Sequence, residues 1–229
     1  MRSLKCLVLA ALVGFNVHAG AQAPADTAVH AVSYVDVRPA ARAAMVAALK
    51  QYRDASRKDE GYVRIDLLEQ AGWAGHFAII ETWRDQKAFD GHAAAAHVKQ
   101  YRDVLQPIRV SGYDQRPYRT LTAAAAAGGA NAQTVHIVSH VDIAGQGAQA
   151  QAPGMLTGLA ERSRREAGNL RFDVLQHMMR ANHFTVVETW QSQAALDAHA
   201  AAAHTKEYRD VLQPISGSPL DERLYKAVD

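Results

Sequence analysis

The sequence predicts an α+β protein made of two βαββαβ repeats that pack against each other as one pseudo-symmetric barrel. Three observations support this prediction. The chain contains an internal repeat, both copies show the same order of strand and helix patterns, and a single unit would leave one face of its sheet uncovered. Two copies in one chain can cover these faces by packing their sheets together.

The internal repeat has an offset of 107 residues over most of its length. Residues 76–83 recur as 183–190, and residues 60–118 match residues 167–225 at 32 of 59 positions. A period of this length is far above that of a solenoid and indicates a duplicated domain. We assign copy 1 to residues 29–119 and copy 2 to residues 134–226. The Ala- and Gly-rich residues 120–133 are expected to form the linker.

The first half of each copy reads as a strand followed by a helix. Residues 29–37 alternate with a period of two, and residues 41–58 carry apolar side chains at helical spacing. Gly61 in copy 1 and Gly168 in copy 2 are expected to end the helix.

The second half of each copy reads as a hairpin, a helix and a short last strand. In copy 1, residues 62–69 and 76–83 have strand character and are joined by a Gly-containing turn. Residues 85–105 are predicted to form one Ala-rich helix that ends before Pro107. Residues 113–118 complete the βαββαβ order of a split βαβ unit.

The composition fits a globular protein of balanced charge. Its 229 residues include 25 Lys and Arg against 23 Asp and Glu, so the formal net charge is +2. This balance argues against a polybasic nucleic-acid-binding protein. Cys6 is the only cysteine in the sequence, which excludes a disulfide framework and a multi-cysteine metal site.

Residues 1–21 resemble a secretory signal peptide. Arg2 and Lys5 precede an apolar run of about a dozen residues, and small residues follow it. A membrane anchor is the alternative, but the run is shorter than the ~20 residues of a spanning helix. We therefore expect a secreted or periplasmic protein without a membrane segment after the signal is removed.

The third strand of each copy carries a carboxylate on an otherwise apolar face. With a side-chain period of two, this face contains Phe77, Glu81 and Trp83 in copy 1, and Phe184, Glu188 and Trp190 in copy 2. A buried carboxylate needs a partner or a raised pKa. The glutamates are therefore candidates for a general base or an anchor of a histidine, with a structural ion pair as the alternative. The tryptophans can be core residues, walls of a cavity, or both.

The helix after this strand carries two histidines in each copy, His92 and His97 in copy 1 and His199 and His204 in copy 2. Residues five apart lie about 140° apart on a regular helix, so a single-helix metal site requires a break near His97. We expect no metal. His92 and His199 share a face with apolar residues, either as pocket residues or as hydrogen-bonded core histidines.

The spacing of these residues resembles the antibiotic biosynthesis monooxygenase (ABM) domain. The resemblance rests on the Glu-x-Trp motif at 81–83, on His92 and His97 after it, and on residues 61–66 and 168–173 at the entry into the second strand. It covers nearly the whole of both copies. It implies two ferredoxin-like βαββαβ repeats that form an intramolecular pseudo-dimeric α+β barrel, a structure that relatives build from two subunits.

The family includes enzymes that oxidise anthrones, quinols and other phenolics with O2 and without metal or flavin. The resemblance implies an exported cofactor-independent monooxygenase of a phenolic, quinol or polycyclic aromatic substrate. That chemistry needs a base and an apolar pocket that excludes water. The expected catalytic residues are His92, His199, Glu81 and Glu188. The expected substrate-binding residues are Trp83, Trp190, His97, His204, Phe77, Phe184, Tyr101 and Tyr208.

Two other interpretations stay open. Haem-degrading relatives exist, but they carry a tryptophan where this chain has His92, which leaves only axial ligation by histidine. A non-catalytic module that binds a small apolar molecule would have the same pocket. For the enzyme, the expected partners are a small aromatic substrate and O2. The chain is expected to be a monomer with an internal pseudo-dimer, and further association is left open.

Overall fold

The structure is a computed structural model that describes residues 27–124 and 130–228. The predicted signal segment lies outside these residues, as do residues 125–129 of the predicted linker. Within the described chain, no helix is long and apolar enough to cross a membrane.

The two copies repeat the same order of elements. Copy 1 contains β1 (Val29–Asp36), α1 (Arg42–Ser56), β2 (Tyr62–Gln70), β3 (His76–Trp83), α2 (Gln86–Ala93), α3 (Ala96–Leu105) and β4 (Asp114–Thr122). Copy 2 contains β5 (Val135–Asp142), α4 (Gln146–Ser163), β6 (Asn169–His177), β7 (His183–Trp190), α5 (Gln193–Ala201), α6 (Ala203–Leu212) and β8 (Asp221–Ala227). The predicted strand and first-helix patterns of copy 1 are confirmed within a few residues, except that β4 runs on to Thr122.

The prediction of one continuous helix over residues 85–105 is wrong. Ala95 has an extended backbone (φ −69°, ψ 147°) and separates α2 from α3. Ala202 does the same between α5 and α6 (φ −61°, ψ 144°). Alanine is the best helix former, so the sequence carries no local signal for these breaks.

All eight strands form one closed antiparallel barrel in the order β1-β3-β2-β8-β5-β7-β6-β4, with β4 returning to β1. The last strand of each copy pairs with the second strand of the other copy, β8 with β2 and β4 with β6. The expected pseudo-symmetric barrel is therefore confirmed, and each copy supplies the edge that closes the other.

The barrel has two distinct packing layers. Its interior is filled by side chains of both copies, among them Val32, Ile80, Val138 and Val187. The outer face of each half packs against its own helices, and this layer contains Phe77 and Trp83 of copy 1. Because side chains alternate along β3, Glu81 lies in the same outer layer. The candidate sites therefore lie between sheet and helices, one in each copy.

Candidate active site

A carboxylate holds both histidines of copy 1. Asp59 lies just after α1, and its Oδ2 is 2.7 Å from His92 Nδ1 and 3.3 Å from His97 Nε2. The extended backbone at Ala95 makes this possible because it redirects the chain between the two histidines. The orientation of the His92 ring is thus fixed by the Asp59 carboxylate, and its Nε2 is directed towards β3.

Copy 2 contains the same arrangement with a longer acid. Glu166 Oε1 lies 2.7 Å from His199 Nδ1 and 2.9 Å from His204 Nε2. His199 Nε2 is 3.8 Å from Glu188 Oε2 on β7. A histidine whose Nδ1–H donates to a carboxylate presents an Nε2 lone pair on its other side when it is neutral.

Each copy therefore brings three potential metal ligands together, with donor atoms within 4.8 Å of one another: Asp59, His92 and His97 in copy 1, and Glu166, His199 and His204 in copy 2. The helix break removes the geometric objection that the five-residue spacing raised. In both copies, however, the first histidine is hydrogen-bonded to the carboxylate and the second to a serine, so a cation would have to replace these bonds. We interpret the groups as anchors of the imidazole rings.

The tryptophans orient the glutamates. Trp83 Nε1 donates to Glu81 Oε2 at 3.0 Å, and Trp190 Nε1 donates to Glu188 Oε2 at 2.8 Å. Both indoles are fully buried and stack on the histidine of their own copy. The indole N–H is therefore used by the protein itself and fixes one oxygen of each carboxyl group.

The second oxygen of Glu81 is occupied by a phenol of the chain. The Tyr52 hydroxyl on α1 lies 2.9 Å from Glu81 Oε1 and 2.7 Å from His92 Nε2. A phenol carries one hydrogen and acceptor lone pairs, so it can serve both neighbours at once. In copy 1, the space between the glutamate and the histidine is filled by Tyr52.

Copy 2 has no tyrosine there. Its α4 residue Leu159 is the counterpart of Tyr52, because Ser163 and Ser56 make the same bond to the carbonyl four residues before them. At the 107-residue offset, two further aromatic residues are also leucine in copy 2: Phe89 corresponds to Leu196, and Tyr113 to Leu220.

These three leucines line a cavity of ≈ 220 Å³ that Glu188, His199 and Tyr208 also line. Its remaining walls are mixed. Ile137, Val186 and Ala200 are apolar, whereas Gln193, Asp197, Thr205, Arg209 and Glu222 are polar or charged. Ser139 also lines this wall, and its hydroxyl is buried and has no hydrogen-bond partner among the described residues. The sequence difference between the copies therefore converts a filled site into an open one.

Burial keeps the reactive pair of copy 2 uncharged near neutral pH. It raises the pKa of the Glu188 carboxyl to about 8, against the opposing effect of the Trp190 hydrogen bond. It also lowers the pKa of His199, against the Glu166 hydrogen bond. A neutral carboxyl group can donate a hydrogen bond, and a neutral imidazole can accept a proton.

The structure distributes the sequence-predicted residues over different surroundings. Three of these residues line the copy-2 cavity: Glu188, His199 and Tyr208. Five others lie in the core or behind the site: Trp83, Trp190, Phe77, Phe184 and His204. His97 and Tyr101 line a small groove between α1 and α3. Glu81 and His92 are buried against Tyr52.

The residues that sequence analysis missed are the two anchoring carboxylates, Asp59 and Glu166, together with Tyr52 and Ser139. The carboxylates lie in a polar turn that looks solvent-exposed in the sequence. Comparing the two copies position by position would have found Tyr52, because its replacement by leucine is one of three parallel changes from aromatic residue to leucine.

An eight-stranded barrel with two histidine–carboxylate sites outside its sheet defines this molecule as a single-chain counterpart of the dimeric α+β barrels. The family model for antibiotic biosynthesis monooxygenase matches residues 28–104 and 144–211, more than half of the chain. The chain belongs to the antibiotic biosynthesis monooxygenase family, which confirms the family and the fold predicted from the sequence.

Individual proteins show the same relationship. The chain is 29% identical over 69 residues to "Putative monooxygenase YcnE" of Bacillus subtilis (strain 168), which covers 30% of this chain and 73% of that protein. It superposes on a "putative monooxygenase" of Fusobacterium nucleatum with a TM-score of 0.81 and 14% identity, over 90% of this chain and 94% of that one. An "anthrone oxidase-like protein" gives a TM-score of 0.69 and 14% identity, over 90% and 93%. At such identities the structural likeness shows the fold alone.

Proposed function

We propose that this chain is an exported, cofactor-independent monooxygenase that oxidises a phenolic or quinol substrate with O2 in the copy-2 cavity. Membership of a monooxygenase family supports the general activity. The observation that carries the proposal is the pairing of Glu188 with a carboxylate-anchored His199 at the wall of a cavity that three leucines also line. Export rests on the signal-like composition of residues 1–21.

His199 is the proposed general base. Its Nδ1 bonds to Glu166, so Nε2 of the neutral ring accepts the phenolic proton from a substrate in the cavity. The Glu166 carboxylate stabilises the imidazolium that forms. The resulting phenolate is electron-rich enough to reduce O2, and the three leucines of the cavity supply apolar contacts to its ring.

Glu188 is the proposed hydrogen-bond donor to the substrate oxygen. The Trp190 N–H holds one of its oxygens at 2.8 Å, which leaves the other oxygen for the ligand. In the protonated form it donates to the phenolic oxygen while His199 receives the phenolic hydrogen. The two residues thereby fix the position of the reacting hydroxyl.

The reaction balances without an added reductant. For a 1,4-dihydroxybenzene, the anion and O2 form a C–O bond at a ring carbon, and the proton held by His199 converts the peroxide to a hydroperoxide. Loss of the hydrogen on that carbon and cleavage of the O–O bond then release water. One oxygen atom is retained in a hydroxyquinone, the other leaves as water, and the ring supplies all four electrons.

Haem, the alternative cofactor, does not fit this site. The cavity of ≈ 220 Å³ is smaller than the roughly 300–1,000 Å³ of typical sites for drug-sized ligands, and a porphyrin is at least as large as those ligands. No step is therefore assigned to haem.

The proposal is tested by oxygen uptake with a panel of hydroquinones, using protein treated with a chelator and corrected for autoxidation. We expect substrate-dependent uptake and incorporation of one labelled atom from ¹⁸O2 into the product. His199→Gln should lower kcat about 10²–10⁴-fold because it removes the base. The matched variant His92→Gln, at the tyrosine-filled site of copy 1, should retain turnover.

Absence of uptake with every substrate would overturn the proposal, as would equal losses in the two histidine variants. Ligand binding without uptake would instead identify a non-catalytic binding protein. Uptake without label in the product would identify an oxidase.

A further inference from the structure

In copy 1, two tyrosine side chains occupy the space that corresponds to the ligand site of copy 2. The two copies share the glutamate, the histidine and the serine that face the same space, but copy 1 places phenols against them and copy 2 does not. The positions of the copy-1 phenols therefore show which groups copy 2 is equipped to bind. That the bound molecule is oxidised rests on the proposed function, whereas the binding chemistry inferred below does not depend on it.

The first phenol is that of Tyr52. Its oxygen lies within hydrogen-bond distance of both Glu81 and His92. In copy 2, Glu188 and His199 occupy the equivalent positions, and Leu159 supplies no polar atom between them. A ligand hydroxyl is the group that would restore the missing contacts.

The second phenol is that of Tyr113. Its hydroxyl donates to Ser33 Oγ on β1 at 3.3 Å. The counterpart of Ser33 in copy 2 is Ser139, which is only 4% exposed, lines the cavity and has no partner among the described residues. An orphaned buried hydroxyl costs free energy unless a ligand satisfies it.

The two polar positions of copy 2 are diagonal neighbours on one face of the sheet. Ser139 pairs with Val186, and Glu188 lies two residues farther along β7. Diagonal neighbours of this kind are about 7–8 Å apart. A single aromatic ring with oxygen substituents on opposite sides can contact both.

We propose that the copy-2 cavity binds a monocyclic 1,4-dihydroxybenzene, with one hydroxyl between Glu188 and His199 and the other against Ser139. In copy 1 the same space is closed by Tyr52 and Tyr113, so each chain has one ligand site. The cavity size agrees, because a cavity of about 150 Å³ holds benzene and this one measures ≈ 220 Å³.

The remaining groove of copy 1 does not provide a second site. It measures ≈ 110 Å³ and lies between α1 and α3, where Tyr52 and Tyr101 line it. Glu81 is not among the residues that line it. The Tyr52 ring thus separates this groove from the glutamate.

The test measures anaerobic binding of hydroquinone, phenol and 1,4-dimethoxybenzene by calorimetry, so that turnover does not interfere. We expect one site per chain and an affinity order of hydroquinone, phenol, then the dimethoxy compound, which has no hydroxyl to donate. Ser139→Ala should lower hydroquinone affinity about threefold to tenfold and leave phenol affinity unchanged.

Two engineered exchanges test the assignment of the copies. Leu159→Tyr places the copy-1 phenol in copy 2 and should abolish hydroquinone binding, whereas Val211→Tyr, on the exposed face of α6, should not. The triple variant Tyr52→Leu, Phe89→Leu, Tyr113→Leu should raise the stoichiometry from one to two. A gain of binding cannot result from misfolding.

The inference is overturned if wild-type protein binds two molecules per chain, if Leu159→Tyr folds and binds hydroquinone undiminished, or if Ser139→Ala weakens phenol and hydroquinone equally. Its failure is distinct from that of the proposed function. Binding as described without oxygen uptake contradicts only the enzyme, and uptake that persists in Leu159→Tyr contradicts only the site.

Discussion

Glu81 and Glu188 are equivalent residues that differ in what meets their second carboxyl oxygen. Both are buried and both accept a hydrogen bond from a tryptophan two residues later. Tyr52 satisfies the second oxygen of Glu81, while that of Glu188 lies at a cavity. In the proposed complex, the protonation state of Glu188 therefore affects ligand binding. The protonation state of Glu81 affects only its hydrogen bonds within the protein.

We predict that hydroquinone binding weakens as the pH rises through about 8. Below this pH Glu188 is protonated and donates to the ligand oxygen, and above it the carboxylate cannot donate. Glu188→Gln keeps a neutral donor at all pH values, so its affinity should stay constant between pH 6.5 and 9. Anaerobic titrations across this range check the prediction, with Glu81→Gln as the variant that should keep the wild-type dependence.

At the level of residues, the candidates predicted from the sequence were polar side chains on otherwise apolar faces of strands and helices. The glutamates of β3 and β7 and the inward histidines stood out for this reason, and both lie in the sites. Asp59 and Glu166 did not stand out, because acids in a turn are ordinarily solvated and only the tertiary fold places them beside histidines. The tryptophans were expected to bind substrate, but their N–H groups donate to the glutamates.

At the level of elements, a glycine in each copy allows the anchoring carboxylate to approach the helix. Gly168 follows Glu166 by two residues and has a positive φ of 83°. A Cβ atom at Gly168 would lie 2.7 Å from Cβ of Ala195 at the start of α5. The turn and α5 therefore pack in contact, and this packing places Glu166 beside His199.

We predict that Gly168→Ala destabilises the protein by about 1–3 kcal/mol, since a left-handed backbone and a steric clash act together. It should also weaken hydroquinone binding through displacement of Glu166. Denaturant unfolding and calorimetry measure the two effects. Gly158→Ala, in the interior of α4 with open space around it, should stabilise by roughly 0.5–1 kcal/mol. Equal stability of the two variants would contradict this packing role.

The break between α2 and α3 shows where element prediction fails. The sequence around Ala95 is a run of alanines, and local propensity favours an uninterrupted helix. The break exists because His97 reaches the same carboxylate as His92, which a straight helix does not allow. The tertiary contacts of His97 with Asp59 and Ser56 outweigh the helix propensity of one alanine here.

At the level of the whole molecule, the duplication was sufficient to predict the barrel but not how it closes. Sheet faces that need a partner follow from the pattern of one copy, whereas the pairing of β8 with β2 and of β4 with β6 depends on strand ends in three dimensions.

The two copies also meet at equivalent positions: the Tyr34 hydroxyl of β1 lies 2.6 Å from Nε2 of His140 on β5. Tyr34 and His140 are related by the 106-residue offset of the first strands.

His140 titrates in a crowded barrel interior. Burial lowers its pKa to about 3, and the charges of Arg116, Arg223 and His183 act in the same direction while Asp221 opposes them. Its ring also bonds to Thr185 through Nδ1 at 2.8 Å. The folded protein therefore holds this histidine neutral at pH values where the unfolded chain protonates it.

We predict that this difference makes the barrel acid-sensitive between pH 6.5 and 3. In that window the unfolded state binds a proton that the folded state does not, so the free energy of unfolding falls as the pH falls, by up to about 1.4 kcal/mol per pH unit. His140→Gln should reduce the loss of stability between pH 7 and 5 by up to about 2 kcal/mol, measured by urea unfolding at both pH values. Tyr34→Phe removes the hydrogen bond but keeps the histidine, so it should lower stability at both pH values and leave the slope unchanged. Equal slopes for wild type and His140→Gln would show that other groups dominate the acid response of the barrel.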